Sequence, residues 1–224
     1  MSNENKILIG IGVVTVILIA VAVFSLGGSN GLSGTNNTAD QKPKDLKVLI
    51  KSDSHVDGPA NAKVSVVEFG DFQCPACGSA YPVVSQIEQN YKGKIKFVFR
   101  NYPLPVHKNA KVAAEAAEAA GAQGKFFQMY HKLYDNQKSW SDSNNALDEY
   151  FVKYAKEIGL DVNKFSSEVK ASKYADKIQN DMNDGNAVGV SATPTFYING
   201  LEQVGGLPYD EFKTKVDTAL KAAK

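Results

Sequence analysis

Val64-Ser65-Val66-Val67-Glu68-Phe69-Gly70-Asp71-Phe72-Gln73-Cys74-Pro75-Ala76-Cys77 decides how the rest of the chain is read. Val64 to Phe69 is an apolar, strand-like run. Cys74 to Tyr91 reads as a helix, with Tyr81, Val84, Ile87 and Tyr91 at helical spacing and a bend expected at Pro82. Cys74 and Cys77 are the molecule's only 2 cysteines, at C-x-x-C spacing. That spacing lets both sulfurs meet in one helical turn and close into a small, strained, reducible disulfide. A strand leading into C-x-x-C at a helix start is a redox arrangement.

The position favours a reactive sulfur at Cys74. The first turn of a helix has unpaired backbone N–H groups and the positive end of the macrodipole. Pro75 fits the first helical position, where its fixed φ helps and its missing N–H costs nothing. A Cys74 thiolate is therefore expected below the free thiol pKa of about 8.5. Cys77, one turn further in, reads as the buried resolving thiol. Two other readings of the pair are weaker. As a structural disulfide it encloses too little chain to constrain the unfolded state. As half a zinc site it lacks a second C-x-x-C, and the 3 histidines are scattered. Only metal bridging between two chains is left, and no metal site is expected.

With 224 residues, the chain has room for one large domain or a domain with an insertion. A net charge of +1 gives no bulk attraction to nucleic acid. Ile7 to Leu26 is uncharged and almost entirely apolar, and Lys6 precedes it. That is about the 20 residues a membrane-spanning helix needs. Ala20-Val21-Ala22 resembles a signal-peptidase site, but the apolar core exceeds the roughly 7–15 residues of a signal peptide. The expectation is an uncleaved anchor at 7–26, with 1–6 cytoplasmic and everything downstream exported. Either reading places the pair in a compartment where a disulfide persists. Residues 27–45, rich in Gly, Ser, Asn and Thr, read as a flexible tether.

Further along, Leu46 to Ile50 is expected as a short strand and Lys51 to Lys63 as turns, with His55 solvated. By alternation Glu68 shares a face with Val64 and Val66, so it is either a buried acid beneath the cysteines or an edge carboxylate in water. Ile95 to Asn101 is a second strand. Lys111 to Ala120 is a strong helix former. Phe126, Met129, Tyr130, Leu133 and Tyr134 form a helical stripe expected in the core. His107 and His131 read as surface or packing residues, and Trp140 as part of a loop. Val162 to Val169 and Tyr174 to Val188 are further helices. Asn199-Gly200 joins strands Thr195 to Ile198 and Leu201 to Val204 in a hairpin. Tyr209 to Ala223 is a closing helix. This order suits a mixed sheet flanked by helices.

Val-Val-Glu-Phe-Gly-Asp-Phe-Gln-Cys-Pro-Ala-Cys (66–77), the long helical stretch, and Gly-Val-Ser-Ala-Thr-Pro-Thr-Phe-Tyr-Ile-Asn-Gly (189–200) resemble the DsbA-like thiol:disulfide oxidoreductases, particularly their membrane-anchored forms. The resemblance covers about 46–224. It implies an α/β thioredoxin-like fold in which a helical domain is inserted at about 107–189. It implies that Cys74 exchanges with the substrate sulfur while Cys77 resolves the mixed disulfide. Glu68 matches the family's buried acid, which carries protons to and from the second cysteine. The Thr193-Pro194 bond is expected to be cis and to lie against the cysteines, so Thr193 and Pro194, with Pro75 and Ala76, form the substrate-binding surface. One departure is that the best-known member has His between its cysteines, whereas Ala76 brings no charge or donor. With Asp71 nearby in sequence as well, a less stabilised thiolate and a milder oxidant are expected.

The expected enzyme is a protein thiol-disulfide oxidoreductase at the cell membrane, single-pass, with its catalytic domain on the extracytoplasmic side. It would donate the Cys74–Cys77 disulfide to reduced exported proteins, need no cofactor beyond that disulfide, and be reoxidised by a quinone-linked membrane protein, DsbB-like or VKOR-like. The alternatives are a disulfide reductase or isomerase using the same site, and a redox-inactive peptide-binding module.

Overall fold

The computed structural model describes residues 42–223. The expected anchor at 7–26, the segment 1–6 and most of the tether lie outside the described residues. Among the described residues no helix is long and apolar enough to cross a membrane.

Strand β2 (Val64–Gly70) is the middle strand of the sheet, and all its residues are buried. Alternation sends Val64, Val66 and Glu68 to one face of the sheet and Val67 and Phe69 to the other. Each face meets its own apolar core. A strand buried on both faces reads as a continuous apolar run, which is why this stretch stood out in sequence. Around it the five-stranded sheet has the order β1-β3-β2-β4-β5. Strand β3 (Ile95–Asn101) runs parallel to β2, with Phe99 opposite Glu68. Strand β4 (Thr195–Ile198) is antiparallel to β2, with Phe196 opposite Glu68. Strand β5 (Leu201–Val204) returns from β4 through Asn199 (φ 47°) and Gly200 (φ 86°), the left-handed pair a tight hairpin needs.

The edge strand β1 (His55–Asp57) corrects the expectation of turns over 51–63. It pairs antiparallel with β3, His55 opposite Phe99. Three residues without apolar alternation leave no period to read, and the strand exists because β3 offers it a ladder. His55 is not simply solvated either. Its ring stacks on Phe126 at 3.7 Å, and Nε2 lies 2.8 Å from Glu118 Oε2. Leu46 to Ile50 is likewise a helical turn, α1 (Leu46–Leu49), and not a strand. Asp45 caps it by accepting from the Lys47 N–H at 2.9 Å, and Leu49 is the one residue it buries.

Helix α2 (Pro75–Asn90) follows β2 and buries Cys77, Ala80, Val84 and Ile87. Between β3 and β4 the chain is helical: α3 (Ala110–Gly121), α4 (Phe126–Asp135), α5 (Gln137–Trp140), a π-helical turn (Leu147–Phe151), α6 (Val152–Glu157), α7 (Val162–Lys170) and α8 (Ala175–Val188). The alanines of α3 are buried around most of its circumference, where small side chains let neighbouring helices approach closely. The α4 stripe Phe126, Met129, Tyr130, Leu133 and Tyr134 is core, as its period predicts. Trp140 is not in a loop. It ends α5, fully buried, with Nε1 donating to Leu133 O at 2.8 Å. A four-residue helix is too short for the roughly 3.6-residue period to repeat and announce it. Helix α9 (Tyr209–Ala222) closes the fold, with Phe212 against Phe196 at 5.2 Å between centroids.

On the opposite face, Arg100 of β3 is buried. Its Nε donates to Asp181 Oδ1 at 2.7 Å, Nη2 to Asp184 Oδ2 at 2.6 Å and Nη1 to Leu49 O at 2.9 Å. This web joins β3 to α1 and α8 beneath the second core.

Candidate active site

The cysteines lie where β2 hands over to α2. Gly70 ends the strand, and residues 71–73 turn the chain. Cys74 becomes the N-cap with extended backbone (φ −62°, ψ 122°), and Pro75 takes the first helical position. Both cysteines are free thiols and buried, Cys77 at 1% exposure and Cys74 at 6%. The Cys74 thiol donates to Thr193 O at 3.4 Å, and the Thr193-Pro194 peptide is cis, as the resemblance implied. Among the described residues Thr193 Oγ1 is buried without a partner, so it is available to donate once Cys74 ionises. Pro75 and Ala76 are exposed on the helix tip, whereas Thr193 and Pro194 are buried against the sulfur.

The electrostatics separate the two sulfurs. Cys74 is lowered from about 9 to about 5: the Cys77 thiol donates to the thiolate, and burial opposes this. Thr193 and the backbone N–H groups of Cys77 and Ala76 add to the lowering. Cys77 is pushed up by burial first, then by donating to Cys74 and by the Glu68 charge. Glu68, 1% exposed, is the buried acid and not an edge carboxylate. Burial raises it to about 8, with the Glu88 charge adding and the Tyr130 hydroxyl, donating to Oε2 at 3.4 Å, opposing. At neutral pH this site therefore holds a thiolate at Cys74, a thiol at Cys77 and a protonated Glu68.

Asp71 plays a different part from the one expected of it. Its side chain is fully buried. Oδ1 accepts from the Gln73 N–H at 2.7 Å, and Oδ2 accepts from the Leu104 N–H at 2.9 Å and lies 2.6 Å from His107 Nδ1. It fastens the turn to the β3–α3 loop and is absent from the groups that act on Cys74. His107 is the other half of that fastening. Gln73 continues it, accepting from the Asn109 N–H at 2.6 Å and donating to Ser141 O at 2.7 Å. Phe72 packs among Phe99, Tyr130 and Tyr134, with centroids 4.8, 6.0 and 5.1 Å away. Sequence reasoning passed over Gln73, Asn109, Tyr130 and Gln137 as site residues. Only Gln73 carried a local signal, its place inside the motif. Among the described residues no group of three or more His, Cys, Asp or Glu is placed to hold a metal ion.

A family model described as Thioredoxin matches residues 51–218. Among curated proteins, the chain is 36% identical over 182 residues to a Na(+)/H(+) antiporter NhaA 1 of Salinispora arenicola, covering 80% of this chain and 27% of that protein. An NhaA 3 of Salinispora tropica gives the same figures. The chain thus spans about a quarter of the length of these relatives, and ion transport is said of them alone. Among solved structures, a thioredoxin-like oxidoreductase from Silicibacter pomeroyi superposes with TM-score 0.67 at 26% identity, covering 80% of this chain and 99% of that one. Oxidised BdbD from Bacillus subtilis gives 0.69 at 25%, covering 80% and 96%. The thiol-disulfide exchange protein α-DsbA2 from Wolbachia pipientis gives 0.67 at 25%, covering 77% and 90%.

Proposed function

This chain belongs to the thioredoxin family, with DsbA-like thiol-disulfide oxidoreductases as its structural neighbours, and from that premise we propose that it is an exported oxidase of protein thiols. A client thiolate attacks Cys74 Sγ of the Cys74–Cys77 disulfide. The Cys74–Cys77 bond breaks, a mixed disulfide forms at Cys74, and Cys77 leaves with the electron pair. Cys77 is a poor thiolate and takes up a proton, which the protonated Glu68 carboxyl supplies. A second client thiolate then attacks the client sulfur of the mixed disulfide and expels Cys74 as a thiolate. The client gains a disulfide, and the enzyme gains two electrons.

The lowering of Cys74 to about 5 carries the direction of this reading. A stable thiolate is a good leaving group, and stabilising the reduced form makes the disulfide more oxidising. The uncharged run Ile7 to Leu26 supports a membrane anchor with the catalytic domain outside. The two electrons then pass to a quinone-linked membrane reoxidase, DsbB-like or VKOR-like, and tethering to the same membrane would raise the local concentration of the two partners. Clients are reduced exported polypeptides. Their docking would use the exposed Pro75 and Ala76 and the cis Thr193-Pro194 segment, with backbone pairing in the manner of strand addition.

The test is the equilibrium of the detergent-solubilised full chain in glutathione buffers, alongside its ability to restore activity to reduced ribonuclease. A potential well above thioredoxin's value of about −270 mV, with ribonuclease recovered, is expected. A potential at or below that value would instead favour a reductase. Unaltered peptide binding by Cys74→Ser, with no mixed disulfide trapped by Cys77→Ser, would favour a binding module.

A further inference from the structure

One side chain of the helical segment between β3 and β4 reaches the backbone of the catalytic turn from within α5. Gln137, the first residue of α5, donates from Nε2 to the carbonyl oxygens of Phe72 and Cys74, each at 2.8 Å. The Cys74 carbonyl also accepts the Gly78 N–H at 3.0 Å. The side chain is well anchored at its own end. Gln137 O accepts from Ser141 Oγ at 2.6 Å and from the Ser141 N–H at 3.0 Å, and the buried Trp140 pins α5 to α4.

Space for the amide is made on α2. A Cβ built at Gly78 would overlap Gln137 Oε1 and crowd its Cδ and Nε2. Gly78 is not among the glycines with positive φ, so its backbone does not require glycine. Glycine weakens a helix interior relative to alanine. Its presence in the second turn of α2 is explained by the amide that packs over it.

Backbone carbonyl oxygens are the negative ends of their dipoles, and the Phe72 and Cys74 oxygens flank the segment that carries the sulfur. Amide hydrogens directed at them offset that charge and fix the backbone from which Cys74 Sγ projects. We propose that Gln137 is a positioning residue for Cys74, through which the inserted helices set how readily that sulfur ionises and leaves. This rests on Cys74 being the exchanging sulfur.

The experiment is a titration of Cys74 by ultraviolet thiolate absorbance, on the reduced full chain in detergent, with thermal melts to show that each variant is folded. Gln137→Leu is expected to raise the Cys74 pKa by about half a unit, a roughly threefold smaller thiolate fraction below the pKa. Gln137→Glu should raise it further, since a carboxylate would face the same two carbonyls. Gly78→Ala should reproduce the Gln137→Leu rise, even though alanine is the better helix former. In the double variant Gly78→Ala with Gln137→Ala, the titration should match Gln137→Ala alone, because with the donor gone the added Cβ has nothing left to displace. Wild-type titration in a folded Gln137→Leu or Gly78→Ala chain would overturn the proposal, as would additive shifts in the double variant. The readout needs no client, so a wild-type chain unable to oxidise ribonuclease would sink the oxidase reading and leave this result standing.

Discussion

Glu68 and Cys74 have opposite pH dependences, and the reduced protein should feel both. Cys74 is lowered from about 9 to about 5, so its contribution to stability is full above the unfolded value and is lost as pH falls through about 5. Glu68 is raised from about 4.5 to about 8, so its contribution is full below about 4.5 and is lost as pH rises through about 8. Between about pH 5 and 8 the two slopes oppose, each at most about 1.4 kcal/mol per pH unit. Glu68→Gln removes one of them. Reduced Glu68→Gln protein should therefore show a more positive slope of stability against pH than wild type across that window, as read from denaturant midpoints at several pH values. Parallel pH profiles for the two proteins would contradict the assignment. At this scale the sequence was informative where chemistry is local: both cysteines, the buried acid and the Thr-Pro pair could all be located in it. Asp71 was misjudged because its partners, Leu104 and His107, are 33 and 36 residues away, and nothing nearby announces them.

Elements with a period were readable and elements without one were not. β2, β3, α3, α4, α8 and the β4–β5 hairpin each show apolar spacing, high helix propensity or a turn pair in the sequence. β1, α1 and α5 each have three or four residues, too few for a period: β1 exists because β3 pairs with it, α1 because Asp45 caps it, and α5 because Trp140 is buried against α4. The hairpin supplies a test at this scale. Gly200 sits at φ 86°, and a Cβ there would meet Lys44 O in the segment leading into α1. Gly200→Ala should destabilise by more than the roughly 1 kcal/mol that removing glycine flexibility can return, seen as a lower melting temperature with the Cys74 titration unchanged. A neutral or stabilising result would mean that the hairpin and the segment before α1 are not coupled.

Across the whole molecule, the sheet separates a redox face from a bracing face. The redox core lies with α2 and α4 on the Glu68 side, and the Arg100 web lies with α1 and α8 on the other. Breaking a buried ion pair by removing one partner leaves an uncompensated charge and typically costs about 3–5 kcal/mol. Asp181 also accepts from the Asn101 N–H at 3.0 Å and from Lys177 Nζ at 2.6 Å. Asp181→Asn should cost about 3 kcal/mol in urea unfolding, and Arg100→Met should cost at least as much, because it leaves the Asp181 carboxylate buried without its guanidinium and also loses the Leu49 contact. The opposite ranking would show that the web braces through shape and not through charge. The order of strands and helices was readable at this scale. Which helix covers which face was not, because the residues that decide it are polar pairs separated by about 80 positions.

Cys77 lies on the inner side of α2, at 1% exposure behind Cys74. A visiting polypeptide can grasp the enzyme by one sulfur only, and the atom that must let go for it to be caught is one it never touches. Traffic through the centre is therefore one-at-a-time and ordered, and an abandoned client would always be found hanging from the same hook.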